Sequence, residues 1–327
     1  MKPSSTPEIA VVIPCYQVGA RVLDVIARIG PEVGWIYIVD DACPRHTGRL
    51  VEQECTDARV QVLYHQVNLG VGGAVLTGYR AALASPAVVV VKLDGDGQMD
   101  PALIGRLVAP ILGGRADYSK GNRFHHVGNV ASMPAIRLIG NAALSFLTKL
   151  SSGYWQLFDP TNGFTSIHRS VLAELDFDRI ANRYFFESDM LYHLNQLRAV
   201  VAEMPMRAFY QDEPSSLRPL RIIGPFLVAH AANFARRLVY GYFLRGFSVA
   251  SLELLISIPL LMFGTVFGIH AWWQSFSLDE PATAGTVMLA ALPLILGSQL
   301  FLSWLNFDIA SEPRQPVHPL LADRKRV

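Results

Sequence analysis

Two aspartates one residue apart close an apolar run in Val88-Val-Val-Val-Lys-Leu-Asp94-Gly-Asp96-Gly-Gln98-Met-Asp100-Pro101. β-Branched residues that stop at carboxylates read as a buried parallel strand carrying acids to its C-terminal edge. Open α/β sheets bind their ligands at that edge. The hard oxygens of Asp94, Asp96 and Gln98 suit Mg2+ or Mn2+, which in turn bridges phosphates. A strand that merely ends in an Asp/Gly turn looks the same, so the neighbouring segments decide between the two.

A second acid pair ends another apolar run, Ile38-Val-Asp40-Asp41. Acids far apart in sequence but delivered to one sheet edge converge on one crevice. The elements that must deliver them are strands over Ile9–Ile13, Trp35–Val39, Val60–Tyr64 and Val88–Leu93 and helices over Ala20–Ile29, Thr47–Glu54, Val71–Leu83 and Pro101–Leu112. This alternation predicts a doubly wound, mostly parallel sheet of α/β class. Gly70-Val-Gly72-Gly73-Ala-Val75 follows a strand and opens a helix. A dinucleotide fingerprint needs a glycine at position 75, and no Walker lysine follows. These glycines instead let the backbone approach a neighbour or a ligand. Residues 122–211 are less regular, with a helix expected over Ser188–Leu197.

The chain has 327 residues, 51% of them apolar and 17% charged, and a net charge of +1. That balance carries no nucleic-acid footprint. Cys15, Cys43 and Cys55, without a CxxC pair, point to a reducing compartment and away from a disulfide scaffold or zinc site. The first eight residues lack an apolar stretch of signal-peptide type, so a cytoplasmic N-terminal domain is expected. Val249 to Trp273 and Thr286 to Phe307 each meet the roughly 20 apolar residues of a membrane-crossing helix. Their linker has no Lys or Arg, whereas Arg236, Arg237, Arg245, Arg314, Arg324, Lys325 and Arg326 flank the pair. The positive-inside rule then predicts both termini in the cytoplasm and an external hairpin turn. Between Arg218 and Arg245, Ile222–His230 is too short to cross and reads as a helix lying in the membrane interface. The expected organisation is a catalytic domain over 1–215, juxtamembrane helices over 216–247, a two-helix hairpin over 248–308 and a basic tail over 309–327.

Val11-Val-Ile-Pro14-Cys-Tyr16, Ile38-Val-Asp40-Asp41, Asn68-Leu-Gly70, Asp94-Gly-Asp96-Gly-Gln98, Gly121-Asn-Arg123-Phe and Asp159-Pro160-Thr-Asn-Gly163-Phe164 follow one another over residues 9–215. In order and spacing they resemble the family 2 glycosyltransferases, in particular the dolichyl-phosphate mannose synthase and bacterial polyprenyl-phosphate glycosyltransferase branch. The resemblance implies a GT-A fold, a nucleotide-sugar donor, a divalent metal, inversion at the sugar carbon and a polyprenyl-phosphate acceptor. It assigns Pro14, Tyr16, Asp40, Asp41, Asn68, Gly70, Asp94 and Asp159 to the nucleotide sugar, and Asp94, Asp96 and Gln98 to Mg2+ or Mn2+. Arg123 and Arg137 resemble the arginines that meet the acceptor phosphate. Val18, Ala42-Cys43 and Arg45 depart from the family pattern near the nucleotide, which leaves the base open between GDP- and UDP-linked donors.

A planar guanidinium suits a phosphate acceptor because it binds two oxygens at once. Glu187 and Asp189 lie where related enzymes keep a catalytic acid; an acidic first helical turn, favoured by the helix dipole, would look alike. His125 and His126 are either acceptor contacts or solvated loop residues. A polysaccharide synthase would carry Gln-x-x-Arg-Trp, but Gln196-Leu-Arg198 has other spacing and no following tryptophan. A non-catalytic, membrane-tethered nucleotide-sugar binding subunit is the further alternative. The identity of the sugar, the polyprenol length and the oligomeric state, a homo-oligomer included, stay open.

Overall fold

The computed structural model describes residues 8–125, 135–206 and 219–323. The chain divides into two compact units, Met1–Phe234 with Pro313–Val327, and Ala235–Glu312.

In the first unit β1 (Ile9–Cys15), β2 (Val33–Asp40), β3 (Val60–Tyr64), β4 (Val89–Lys92), β5 (Tyr118–Asn122), β6 (Thr165–His168) and β7 (Val201–Pro205) form one sheet in the order 3-2-1-4-6-5-7. Every pairing is parallel except those of β6, which runs against both β4 and β5. Ala10, Val12, Val39 and Val90 face one buried layer with Tyr79, Met190 and Leu194. Val11, Ile13, Ile36 and Val91 face the other with Ile26, Ile104 and Leu107. Because helices cover both faces, the central strands are apolar throughout rather than alternating.

The helices of this unit are α1 (Arg21–Ala27), α2 (Thr47–Glu54), α3 (Val71–Ala84), α4 (Ile104–Leu112), α5 (Ala135–Ser152), α6 (Arg169–Leu172), α7 (Phe186–Gln196) and α8 (Pro219–Leu238), which runs on past residue 234. A 3-10 turn, Pro101–Leu103, leads into α4; the Asp100 side chain accepts from Ala102 N and proline takes the first position, a start with both capping devices. α7 begins two residues earlier than its sequence expectation, because Phe186 packs into the core and draws the first turn forward. α8 extends well beyond the short segment expected at Ile222–His230.

The chain returns to the first unit after residue 312. Asp117, fully buried before β5, accepts from Val200 N (2.8 Å), Val317 N (3.0 Å) and His318 N (2.8 Å), and lies 2.8 Å from His318 Nδ1. The His318 ring stacks on His168 at 4.2 Å, and burial together with His318 pushes the His168 pKa down to about 4. Val317 and Leu321 pack against the core.

The second unit holds α9 (Val249–Leu278) and α10 (Ala284–Ala310), both long and apolar enough to cross a membrane. A side chain on Gly264 would meet Leu294 and the Ala290 carbonyl at 2.8 and 2.9 Å; one on Gly297 would meet Leu261 and Leu260 at 3.0 and 3.1 Å. Small residues at such crossings let helix backbones approach closely. Near the end of α10, Asp308 accepts from Arg237 Nη1 (2.6 Å) and Nη2 (3.0 Å) and from Tyr242 Oη (2.6 Å). A buried carboxylate of this kind is tolerated because its oxygens are answered by charge and hydrogen bonds.

Candidate active site

The ends of β1, β2 and β4 lie side by side. Register sets Cys15 against Asp40, and Asp41 N donates to Cys15 O at 3.0 Å. Leu93 N donates to Val12 O, and a side chain at Gly95 would meet Ile13 and Cys15 at 3.2 and 3.4 Å. The loop bearing Asp94 and Asp96 therefore packs on the end of β1, next to Pro14 and the 48%-exposed Tyr16.

Asp40 and Asp41 are buried, and their oxygens are committed to the protein. Asp40 accepts from Cys43 N (2.7 Å) and Gly48 N (2.6 Å), which closes the loop into α2. Asp41 accepts from Leu69 N and Gly70 N (both 2.8 Å) and faces His65 Nδ1 at 2.7 Å, while its carbonyl receives Asn68 Nδ2 at 3.2 Å. Asp41 thus holds the Asn68–Gly70 loop against the sheet edge at the end of β2. A side chain at Gly70 would strike Asn182 O at 2.7 Å, so here glycine serves a close backbone approach.

Asp94 sits beside Lys92, a residue that the motif reading passes over. Lys92 Nζ donates to Asp94 Oδ1 at 2.8 Å and Gly163 O at 3.1 Å, and pairs with Glu187 Oε1 at 3.3 Å. The side chain is 1% exposed. Burial would lower the pKa of this ammonium, but Asp94 and Glu187 outweigh it and hold it above the ordinary lysine value. The signal in sequence was a charge inside an otherwise apolar strand, since a buried lysine requires an acid partner.

Arg123 makes a two-pronged pair with Asp159: Nε to Oδ2 at 2.8 Å and Nη2 to Oδ1 at 2.9 Å, with Arg123 N also on Oδ2 at 3.1 Å. Burial raises the Asp159 pKa, but Arg123 prevails and holds it below the usual carboxylate value. Four residues on, Gly163 lies against Lys92 and Asp94. The loop 159–163 thus joins Arg123 to the Asp94 cluster. Asp189 looks elsewhere: it accepts from Ala181 N and from Asn233 Nδ2, both at 2.7 Å. His125 is exposed. His126 lies outside the described residues, as does the side chain of Arg137, whose backbone is in α5.

The metal test rests on Asp96. Its Oδ1 accepts from Gln98 N at 3.0 Å, and burial, then the Asp94 charge, raise its pKa. A carboxylate whose ionisation is disfavoured by burial and by a neighbouring acid is a donor that a divalent cation relieves. Among the described residues no three His, Cys, Asp or Glu gather to cage an ion. The set fits Mg2+ or Mn2+ completed by substrate phosphates and water, the usual arrangement for hard cations that dehydrate reluctantly.

The sequence model of glycosyl transferase family 2 matches residues 10–176. The chain is 28% identical over 218 residues to the UDP-N-acetylglucosamine--dolichyl-phosphate N-acetylglucosaminyltransferase of Methanococcus voltae, spanning 62% of this chain and 86% of that one. It is 28% identical over 207 residues to the polyprenol monophosphomannose synthase of Mycolicibacterium smegmatis, spanning 62% and 77%. In structure it is similar to glucosyl-3-phosphoglycerate synthase from Mycobacterium tuberculosis in complex with Mn2+, UDP-glucose and phosphoglyceric acid, with a TM-score of 0.52 at 19% identity over 71% of this chain and 79% of that one. That likeness shows the fold.

Proposed function

Because the chain belongs to glycosyl transferase family 2 and has a GT-A, mostly parallel sheet, we propose that it transfers a hexose from a GDP- or UDP-linked sugar to a polyprenyl phosphate at the cytoplasmic membrane face, with inversion and with Mg2+ or Mn2+. One observation carries this reading: loop 159–163 holds the Arg123 fork at one end and lies on Asp94 and Lys92 at the other. An anionic acceptor and a metal-bridged donor would meet across it. The names of the relatives give dolichyl phosphate as one acceptor and polyprenol monophosphomannose as one product.

An acceptor phosphate oxygen attacks the anomeric carbon opposite the diphosphate, and the bond to the diphosphate oxygen breaks with its electron pair. The nucleophile is already an anion at neutral pH, since the second phosphate pKa is about 6, so no strong protein base is required. Asp94, Asp96 and Gln98 would hold the metal, which when bound neutralises charge on the departing diphosphate. Pro14, Tyr16 and the loops closed by Asp40 and Asp41 receive the nucleotide. Glu187, held by Lys92, contacts a sugar hydroxyl or acts as base. Asp189 positions the 181–183 segment that backs Gly70. Arg123 and Arg137 meet the acceptor phosphate.

The return of the chain supports the membrane side of this reading. Residues 313–323 belong to the same compact unit as the catalytic sheet and are held there by Asp117, which supports an even number of crossings for the segment between. Two apolar helices satisfy this, with the basic tail inside. Ser277→Cys should react with an impermeant maleimide in intact cells, and a cysteine after residue 323 should not; the reverse pattern inverts the topology.

Transfer is tested by screening the purified protein against nucleotide sugars with a polyprenyl phosphate. Arg123→Ala should weaken the acceptor's apparent KM or turnover by an amount equivalent to about 1.5–3 kcal/mol, with donor binding unchanged. Lysine should rescue only part, because a point charge cannot make the paired contact. Since Arg123→Ala leaves Asp159 buried without its partner, Arg123→Ala/Asp159→Asn separates fold damage from acceptor loss. Loss of donor binding instead, or equal transfer to a soluble saccharide, would refute the assignment.

A further inference from the structure

A row of side chains crosses the sheet at the catalytic edge. Lys92 on β4 stands opposite Thr165 on β6, Thr165 opposite Lys120 on β5, and Lys120 opposite Glu203 on β7. Opposed positions share a face; this row is in phase with Val90 and Tyr118, so it lies under α3 and α7. Lys92, Thr165 and Lys120 are each 1% exposed.

The two lysines differ in their partners. Lys92 is answered by Asp94 and Glu187. Among the described residues, no hydrogen bond or ion pair closes on the Lys120 ammonium. The charges that act on it are Asp159, Glu203, Glu187 and Arg123. Each acid among them is already committed: Asp159 to Arg123, Glu187 to Lys92, and Glu203 to Phe158 N, Asp159 N and Asn122 Nδ2. The phenols of Tyr79 and Tyr118 lie toward Thr165, but neither Tyr79 Oη nor Thr165 Oγ1 closes a well-formed hydrogen bond. Burial pushes the Lys120 pKa down to about 8 against the pull of the three carboxylates. An uncompensated buried ammonium and a buried idle hydroxyl both oppose folding. Such groups persist where a ligand supplies what the fold does not.

We propose that Lys120 and the Thr165 hydroxyl form a buried oxyanion subsite that takes one oxygen of the acceptor phosphate, beneath the Arg123 fork. This rests on the reading of the acceptor as a polyprenyl phosphate. Lys120 lies at the Arg123–Asp159 end of the loop, where the acceptor would enter, and its ammonium balances the added negative charge. The purely structural alternative is a pocket filled by ordered water.

The test uses the full-length enzyme in detergent, titrated with geranyl phosphate, with inorganic phosphate, and with the donor nucleotide sugar. Lys120→Met should weaken geranyl phosphate about 10- to 100-fold, the loss of one charge-assisted contact, and leave donor affinity unchanged. Weakening of inorganic phosphate as well would show that the subsite reads the phosphate itself; weakening of geranyl phosphate alone would show that the lipid delivers it. Thr165→Val should cause a smaller loss in the same arm.

The melting temperature of Lys120→Met should rise, because an unanswered charge has been removed. The folded pKa lies below the ordinary lysine value of 10.5, so the folded state resists the proton. The gain is therefore complete below pH about 8 and disappears toward 10.5. Wild-type affinity for geranyl phosphate should fall as pH rises through this window, a limb that Lys120→Met lacks. Equal geranyl phosphate affinity in the two proteins, a loss in the donor arm instead, or a lower melting temperature without loss of geranyl phosphate affinity would each overturn the subsite. If the wild type itself ignores geranyl phosphate and glycosylates a saccharide, the lipid-phosphate reading fails and takes the subsite with it. Equal binding by both proteins removes the subsite alone.

Discussion

Asp96→Asn is expected to keep the fold and to lower turnover on the order of 10^3-fold, with activity lost in chelator and restored by Mg2+ or Mn2+. Asp96 is partly buried, and Asp94 already disfavours its ionisation. The folded protein therefore gains no stability from this charge, and neutralising it relieves the conflict. The amide cannot supply the anionic oxygen that a divalent cation draws on. The melting temperature of the variant should be equal to or above that of the wild type while single-turnover transfer collapses. Full activity in chelator would remove Asp94, Asp96 and Gln98 as a metal site and leave Lys92 and Arg123 to balance the diphosphate.

Lys92→Met should be the most damaging single change in the catalytic unit, and of opposite sign to Lys120→Met. Removing this ammonium leaves Asp94 and Glu187 facing each other without their shared partner. Breaking one side of a buried ion pair costs about 3–5 kcal/mol; the low end applies, because 30% of the Asp94 side chain remains in solvent. Turnover should fall with it, since Asp94 and Glu187 lose their common anchor to the Gly163 carbonyl. Lys92→Met/Glu187→Gln should recover part of the stability, by removing one of the two stranded charges, and none of the activity. Comparing the two lysine variants by thermal melting is a direct check: if both shift the melting temperature the same way, partner geometry is not what distinguishes them.

Much of the scaffold was legible in the residues. β3 and α2 lie where the apolar run Val60–Tyr64 and the amphipathic segment Thr47–Glu54 predict them, and the two long apolar helices where hydropathy does. These are properties of contact with water, which local periodicity reports directly. The DxD loop at a strand end was legible for the same reason: an apolar run that stops at carboxylates has few places to go but a sheet edge.

Partner choice was not legible. Asp40, Asp41 and Asp159 read as groups for the nucleotide sugar, yet in the fold their oxygens meet Gly48, Gly70 and Arg123. Asp189 reads like Glu187, two residues away on the same helix, but they face Asn233 and Lys92 respectively. Asp117 carries no motif and receives a segment 200 residues further along. Lys92 and Lys120 are both single charges in buried strands, alike in sequence. Only the insertion of antiparallel β6 between β4 and β5 puts Thr165 between them, one answered by acids and the other left for a ligand. The sequence by itself determined which segments avoid water and where acids end strands, because burial is set by each residue's own hydration. Which buried charge finds a partner was decided by the tertiary structure, because a hydrogen bond depends on a few tenths of an ångström between residues that the chain brings together from far apart.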